Sequence, residues 1–165
     1  MGLTAERLRE VVSYDPENGA FTWRKKTCRK VVPGAPAGHL GTHYWTIGID
    51  GKRYRAHRLA WLYAYGEFPS ETIDHANGDY LDNRIANLRA ASRRQNMANK
   101  RMHKNNACGV KGVYWCIQRH KWRASVRYQG RNKHVGFFES KEAAGEAYFA
   151  KAKEIFGEFA TQRDK

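Results

Sequence analysis

Acidic residues are missing from the middle of this chain: from Asn83 to Phe138, 56 residues, there is no Asp or Glu. Fourteen Lys and Arg stand in the same window, from Arg84 to Lys133. A solvated surface ordinarily mixes both signs, so a one-sign stretch of this length calls for a polyanionic partner. The whole chain, 165 residues, carries a formal charge of +14. Nucleic acid fits best, because each phosphate neutralised releases counterions and adds sequence-independent affinity. An anionic membrane surface fits less well, since no long amphipathic helix with a Lys/Arg face is legible.

Paired cysteines are missing too. The three present, Cys28, Cys108 and Cys116, are odd in number and form no Cys-x-x-Cys, which argues against a disulfide framework. A zinc set can be drawn from His103, Cys108, Cys116 and His120, but its spacing matches no common finger or knuckle. No apolar run reaches membrane-spanning length. Residues 1–6 lack the basic-then-apolar pattern of a signal peptide, and Gly2 with Glu6 fits a myristoylation pattern poorly. No repeat or low-complexity tract is present. The expectation is an intracellular protein in a reducing compartment, with no membrane association.

What is there supports folding. A hydrophobic share of 41% with 13% aromatics is enough for a core and argues against wholesale disorder. Thr4 reads as the N-cap of a short helix ending near Val12. A turn at 15–19 leads to a strand around Phe21–Trp23, and residues 24–42 read as a loop. A hairpin is expected from His43 to Ile49 and Lys52 to Ala56 about an Asp50-Gly51 turn, then a helix from Arg58 to Tyr65 stopped by Gly66. Next come a strand Thr72–His75, a polar loop from Ala76 to Ala86, a strand Leu88–Ala91, and a helix from Ser92 to about Lys100.

Beyond a linker at 104–108, three strands are expected: Gly112–Ile117, Trp122–Tyr128 and His134–Phe138. Ser140 caps a last helix running to Phe156 and Gly157, with Ala143, Ala144, Ala147, Tyr148, Ala152, Ile155 and Phe156 on its apolar face. The fold class is α+β: a ββα unit within 71–103, an N-terminal α+β extension completing a domain of residues 1–103, and a three-stranded antiparallel sheet packed on one helix at 109–160.

The ββα segment holds residue types suited to phosphodiester hydrolysis, which needs a base for water, a cation to neutralise developing charge, and basic groups to hold the strand. Asp74 and His75 adjoin at a strand end that the turn Ala76-Asn77-Gly78-Asp79 should terminate. Asn96 lies one turn into the next helix. An imidazole titrating near neutrality suits a base, and one carboxylate with one amide oxygen suits magnesium or manganese better than zinc. Asn77, Asp79 and Asp82 read as loop formers. Asn83 admits either role, and His57 reads as a structural hydrogen-bonding residue.

The string Ile73-Asp74-His75-Ala76-Asn77-Gly78-Asp79, then Asp82-Asn83-Arg84, Asn87-Leu88-Arg89 and Gln95-Asn96, resembles the His-Asn-His endonucleases. The likeness is to the phage and intron-encoded homing subgroup, in which Asn replaces the final His. It extends upstream through Tyr54-Arg55-Ala56-His57-Arg58-Leu59-Ala60-Trp61. The resemblance implies a ββα-metal fold with His75 as general base, one divalent cation on Asp74 and Asn96, and Asn87 ordering the loop and orienting His75. Cleavage would leave a 5′-phosphate and a 3′-hydroxyl. A phage-encoded protein would work in the cytoplasm of its bacterial host.

The second region interleaves basic and aromatic residues. On the central strand Trp122, Ala124, Val126 and Tyr128 alternate with Arg123, Ser125 and Arg127, so one face packs on the helix and the other offers guanidinium groups to a groove. The string Gly112-Val113, Trp122-Arg123-Ala124-Ser125-Val126-Arg127, Gly136-Phe137-Phe138, Glu142-Ala143-Ala144 and Ala147-Tyr148 resembles the APETALA-two/ethylene-response-factor DNA-binding domain. That family reads DNA with a three-stranded sheet. Ser125, Tyr114 and Cys116 depart from the plant pattern, so the plant target does not carry over. Trp122 reads as core.

Expected DNA contacts are Arg89, Arg93 and Arg94 near the metal site, and Lys111, Trp115, Arg119, Lys121, Arg123, Ser125, Arg127 and Arg131 in the second region. The expected partner is double-stranded DNA, bound by a monomer with no protein partner. The rival reading is a non-catalytic DNA-binding protein that keeps a nuclease scaffold. An RNA-binding protein is disfavoured by the absence of an RNP-type aromatic motif.

Overall fold

The computed structural model describes residues 2–99, 106 and 108–160. Two compact units are present, Met1–Arg93 and Arg94–Lys165. The division falls ahead of the linker expected at 104–108, of which only Asn106 and Cys108 are among the described residues. The architecture is the α+β expected, with four helices and ten strands among the described residues.

In the first unit, α1 (Ala5–Val11) starts at Thr4, whose hydroxyl accepts the Arg7 amide at 3.2 Å. The helix stops at Val11 because Val12 is already extended (φ −133°, ψ 152°) and opens a strand that sequence reasoning did not anticipate. That strand, β1 (Val12–Tyr14), pairs antiparallel with β2 (Phe21–Trp23). Between them Gly19 takes a left-handed φ of +74°, and a Cβ there would meet the Arg84 amide nitrogen at 2.6 Å. Only glycine fits so close to another backbone.

β3 (His39–Leu40), β4 (Trp45–Ile49) and β5 (Lys52–Arg55) form an antiparallel sheet in that order. The β4–β5 hairpin turns through Asp50 (φ 49°) and Gly51 (φ 74°), the two left-handed residues that a tight hairpin demands. α2 (Ala56–Tyr65) follows without a side-chain cap, two residues earlier than expected, and ends at Gly66 with φ 84°. β6 (Thr72–His75) pairs antiparallel with β7 (Leu88–Ala91), both with the bounds expected, and α3 (Arg93–Asn99) comes next.

The first core joins Leu8, Val11, Val12, Ile47, Ile49, Leu59 and Leu62, none more than 2% exposed. Side chains of this kind contribute about 1.5–3 kcal/mol each when fully buried. Ile73 and Leu88, from the paired strands β6 and β7, belong to the same cluster. β6 and β7 are thereby anchored to the N-terminal extension.

The second unit is a sheet of β8 (Val113–Cys116), β9 (Lys121–Tyr128) and β10 (Arg131–Phe138), antiparallel with β9 in the centre. β10 begins earlier than expected because Gln129 (φ 52°) and Gly130 (φ 76°) make a two-residue turn. α4 (Lys141–Phe156) starts at Ser140, whose hydroxyl accepts the Ala143 amide at 3.1 Å, and closes at Gly157. It packs against all three strands. Its buried residues are small, Ala144, Gly145 and Ala152, which lets the helix lie close to the sheet. Of the apolar face expected, Ala143, Ala147, Tyr148, Ile155 and Phe156 are only half-buried.

Candidate active site and nucleic-acid interface

β6 ends at the functional pair. Asp74 and His75 are both buried, 4% and 3% exposed, because the ladder carries Asp74 opposite Arg89 and His75 opposite Leu88 before the chain turns away. Burial pushes the His75 imidazole below its ordinary 6.5. The Asn83 side chain and the Asp74, Asp79 and Asp82 carboxylates oppose that shift without cancelling it. At neutral pH the ring is therefore unprotonated, the form that can accept a proton from water.

Aromatic rings enclose His75. His57 meets it edge-on at 5.1 Å between centroids and Tyr80 at 5.8 Å. Tyr44 packs on both, 5.2 Å from His57 and 5.3 Å from Tyr80, with the Arg55 guanidinium 4.4 Å over its ring. His57 is itself buried, and desolvation together with its neighbour His75 takes it down to about 3. The structural hydrogen bond expected of His57 is not seen at Nδ1, which has no partner among the described residues. The His57 ring packs edge-on against both Tyr44 and His75.

Asp74 is held from the facing strand. Arg89 brings Nε to 3.0 Å and Nη2 to 2.9 Å, both on the same oxygen, Oδ2. Arg89, expected as a DNA contact, is an ion-pair partner of the expected metal ligand in this structure.

The loop after His75 is knit by amides, as Asn and Asp in turns predict. Asn87 Nδ2 donates to the Asp82 carbonyl at 2.9 Å, while Asn87 Oδ1 accepts the Asn77 amide at 2.9 Å. Its own carbonyl accepts the Ala76 amide at 2.8 Å. Asn87 therefore gathers both ends of the loop onto the start of β7, directly behind His75. Asn77 Nδ2 reaches Asp82 at 2.7 Å, and Arg84 holds the Asp82 carboxyl down at about 2.

The N-terminal extension reaches the same loop. Tyr14 donates its hydroxyl to the Asn83 carbonyl at 2.8 Å, and Gly19 lies against the Asn83–Arg84 peptide. Asn83, open between two roles in the sequence, is 5% exposed and sends Nδ2 to the Leu81 carbonyl. Tyr44, Tyr80 and Asn83 are the site residues that sequence reasoning missed or left unassigned. Tyr80 carried a signal, an aromatic amid turn-forming residues. Tyr44 carried none, because its place comes from tertiary packing.

Asn96 falls on α3, half-buried, within the second unit, and Arg93 and Arg94 at the start of that helix are exposed. Among the described residues no group of three or more His, Cys, Asp and Glu could hold a metal ion. Cys108 and Cys116 are free thiols, and His103 of the drawn zinc set lies outside the described residues.

On the sheet of the second unit, Arg123 lies 5.5 Å over Tyr114 and Arg119 lies 4.6 Å over Phe137. Two expected contacts are thus guanidinium groups braced on aromatic faces. Arg127 and Arg131 are exposed. Ser125, expected on the open face, is instead 8% exposed, its hydroxyl 3.4 Å from that of Tyr114. Covered by a neighbouring strand's side chain, it does not present itself to a groove. Lys111 donates to the Ala98 carbonyl at 2.5 Å, and Lys121 pairs with Glu139 at 2.7 Å. Trp115 is 45% exposed and stands edge-on to Trp122 at 5.2 Å, while Trp122 packs on the core as expected.

Comparison with known proteins bears on the first unit most. A family model described as HNH endonuclease matches residues 54–98. Protein 3.8 of Escherichia phage T7 is 32% identical over 113 residues, covering 68% of this chain and 93% of that protein. Residues 54–98 thus carry an HNH endonuclease domain. A protein of Acanthamoeba polyphaga mimivirus, named as an uncharacterized HNH endonuclease, is 32% identical over 124 residues, 74% of this chain and 64% of its own length. An ethylene-responsive transcription factor-like protein of Arabidopsis thaliana is 31% identical over 81 residues, 45% of this chain and 35% of the plant protein. No solved structure matches. No helix among the described residues is long and apolar enough to cross a membrane.

Proposed function

We propose that this HNH protein is a metal-dependent DNA endonuclease that hydrolyses phosphodiester bonds to 5′-phosphate and 3′-hydroxyl ends. The observation that carries the reading is a buried, unprotonated His75 beside a buried carboxylate, at a strand end whose following loop is tied down by Asn87. His75 takes the proton from the attacking water. Asn87 keeps the loop, and through it the imidazole, in position.

Asp74 would hold one magnesium or manganese ion per site, with Asn96 as the second ligand that the family pattern implies. A carboxylate oxygen and an amide oxygen form the hard donor set such an ion prefers. When bound, it supplies the positive charge that stabilises the phosphate and the leaving oxygen. Arg93 and Arg94 hold the backbone of double-stranded DNA. The second unit reads sequence; the aromatic-braced arginines Arg119 and Arg123, and the partial likeness of the chain to a plant transcription factor-like protein, support this.

The test is cleavage of supercoiled plasmid in magnesium and manganese, with end analysis of the products. His75→Ala should lower the rate by about 10²–10⁴-fold, the usual contribution of a general base, with DNA affinity unchanged. DNA binding with no cutting in either ion would establish the scaffold reading instead. Full activity in chelator would overturn the metal requirement.

A further inference from the structure

The ion pair behind the proposed metal site has a consequence of its own. Asp74 is only 5% exposed at its side chain, and a carboxylate taken that far from water needs a cation close by. Strand register supplies one, since Arg89 is the residue directly across the β6–β7 ladder. Its Nε and Nη2 both reach Oδ2, so the guanidinium sits edge-on to one oxygen. With 18% of its side chain exposed, Arg89 is still open to solvent on part of its surface.

We propose that Arg89 is the resident counter-ion of Asp74, weakening divalent-ion binding until a DNA phosphate arrives, so that metal and DNA bind cooperatively. The proposal rests on the endonuclease reading and deepens it. A divalent ion on Asp74 meets the fixed positive charge of Arg89, and like charges so close disfavour its binding. A phosphodiester offers the same guanidinium a charge-matched partner that accepts two parallel hydrogen bonds. Once Arg89 has a phosphate to share its charge, the ion on Asp74 is no longer opposed. Linkage makes the effect reciprocal: DNA tightens metal binding by the factor by which metal tightens DNA binding. The opposite role, in which Arg89 only orients Asp74 for the ion, predicts weaker metal binding when Arg89 is removed.

The experiment is an electron paramagnetic resonance titration of free Mn2+ in full-length His75→Ala protein, which spares the duplex from cutting. It is run with and without a short duplex at low salt. In that background, duplex should tighten Mn2+ binding about tenfold, within the usual range of coupling between sites. Arg89→Met should tighten DNA-free Mn2+ binding about tenfold and remove most of the dependence on duplex. Arg89→Lys, which keeps the charge, should stay near the parent without DNA.

Parent affinity that ignores duplex, or an Arg89→Met protein that binds DNA-free Mn2+ no better than the parent, overturns the counter-ion role. Should circular dichroism show Arg89→Met unfolded, the parent coupling and Arg89→Lys still decide. Absence of Mn2+ binding in every state would overturn the metal-dependent reading itself, a different result from binding without coupling.

Discussion

Burial takes the His57 imidazole down to about 3 from an ordinary 6.5, and no substrate contact is assigned to it. Its effect is on stability. As pH falls below 6.5 the unfolded chain takes up a proton on His57, while the folded chain does not until about 3. Stability is therefore complete above 6.5 and is lost progressively as pH drops toward 3, by up to about 1.4 kcal/mol per pH unit for one group. His75, lowered for the same reason, adds in the same direction. Urea midpoints measured from about pH 7.5 to about pH 5 should fall, and His57→Phe should flatten the decline. An unchanged slope in that variant would assign the loss elsewhere.

At this scale the sequence was informative about chemistry and poor about surroundings. Asp74, His75 and Asn87 were legible because their types and spacing carry a family pattern. The pairing of Arg89 with Asp74 was not, although it follows from strand register once β6 and β7 are aligned. His57 meets His75 from α2, and Tyr44, just ahead of β4, meets His57 in turn; no local pattern encodes that packing.

Among the elements, those with explicit ends were read best. β6 and β7 are bounded by turn residues, and α4 has a serine cap and a terminal glycine. α2 begins without a side-chain cap, so nothing in the sequence marked Ala56 as its start. The expected helix reaches Val12, the first residue of β1, because Val11 and Val12 suit either period. β10 starts three residues ahead of the expected His134, at Arg131, because Gln129 takes a left-handed conformation that is not a standard signal and so shortens the turn.

β9 presents two of the arginines expected to contact DNA. Arg123 and Arg127 both project from it, one braced on Tyr114 and one exposed. A base-reading arginine costs about 1–3 kcal/mol at one base position and relaxes preference there. A phosphate-binding residue weakens all sequences alike and lowers the salt slope by about one. Binding selections on random duplex should give Arg123→Ala and Arg127→Ala the first signature and Arg93→Ala and Arg94→Ala the second. Loss of affinity without change of preference in the β9 variants would make that strand a backbone clamp.

For the molecule as a whole, the charge map separates holding from choosing. The acid-free window runs from the end of the nuclease loop through most of the second unit. Affinity should fall steeply with salt, as expected when many phosphates are neutralised together. A chain shortened to residues 1–104 keeps Asp74, His75, Asn87 and Asn96. It should cut weakly with little site preference. Sequencing of cleavage sites on random DNA, compared with the full chain, is the measurement. Unaltered preference would place recognition in the first hundred or so residues.

The contact between Tyr14 and the Asn83 carbonyl joins residues 69 positions apart, and Gly19 meets the neighbouring peptide from the same hairpin. During synthesis the hairpin emerges first and waits for the loop; until both exist, the backbone behind His75 has no wall to close against. That wall is complete only after the chain has been made through Arg84, so a nascent chain that stops short of the loop holds one half of the contact and nothing for it to close on.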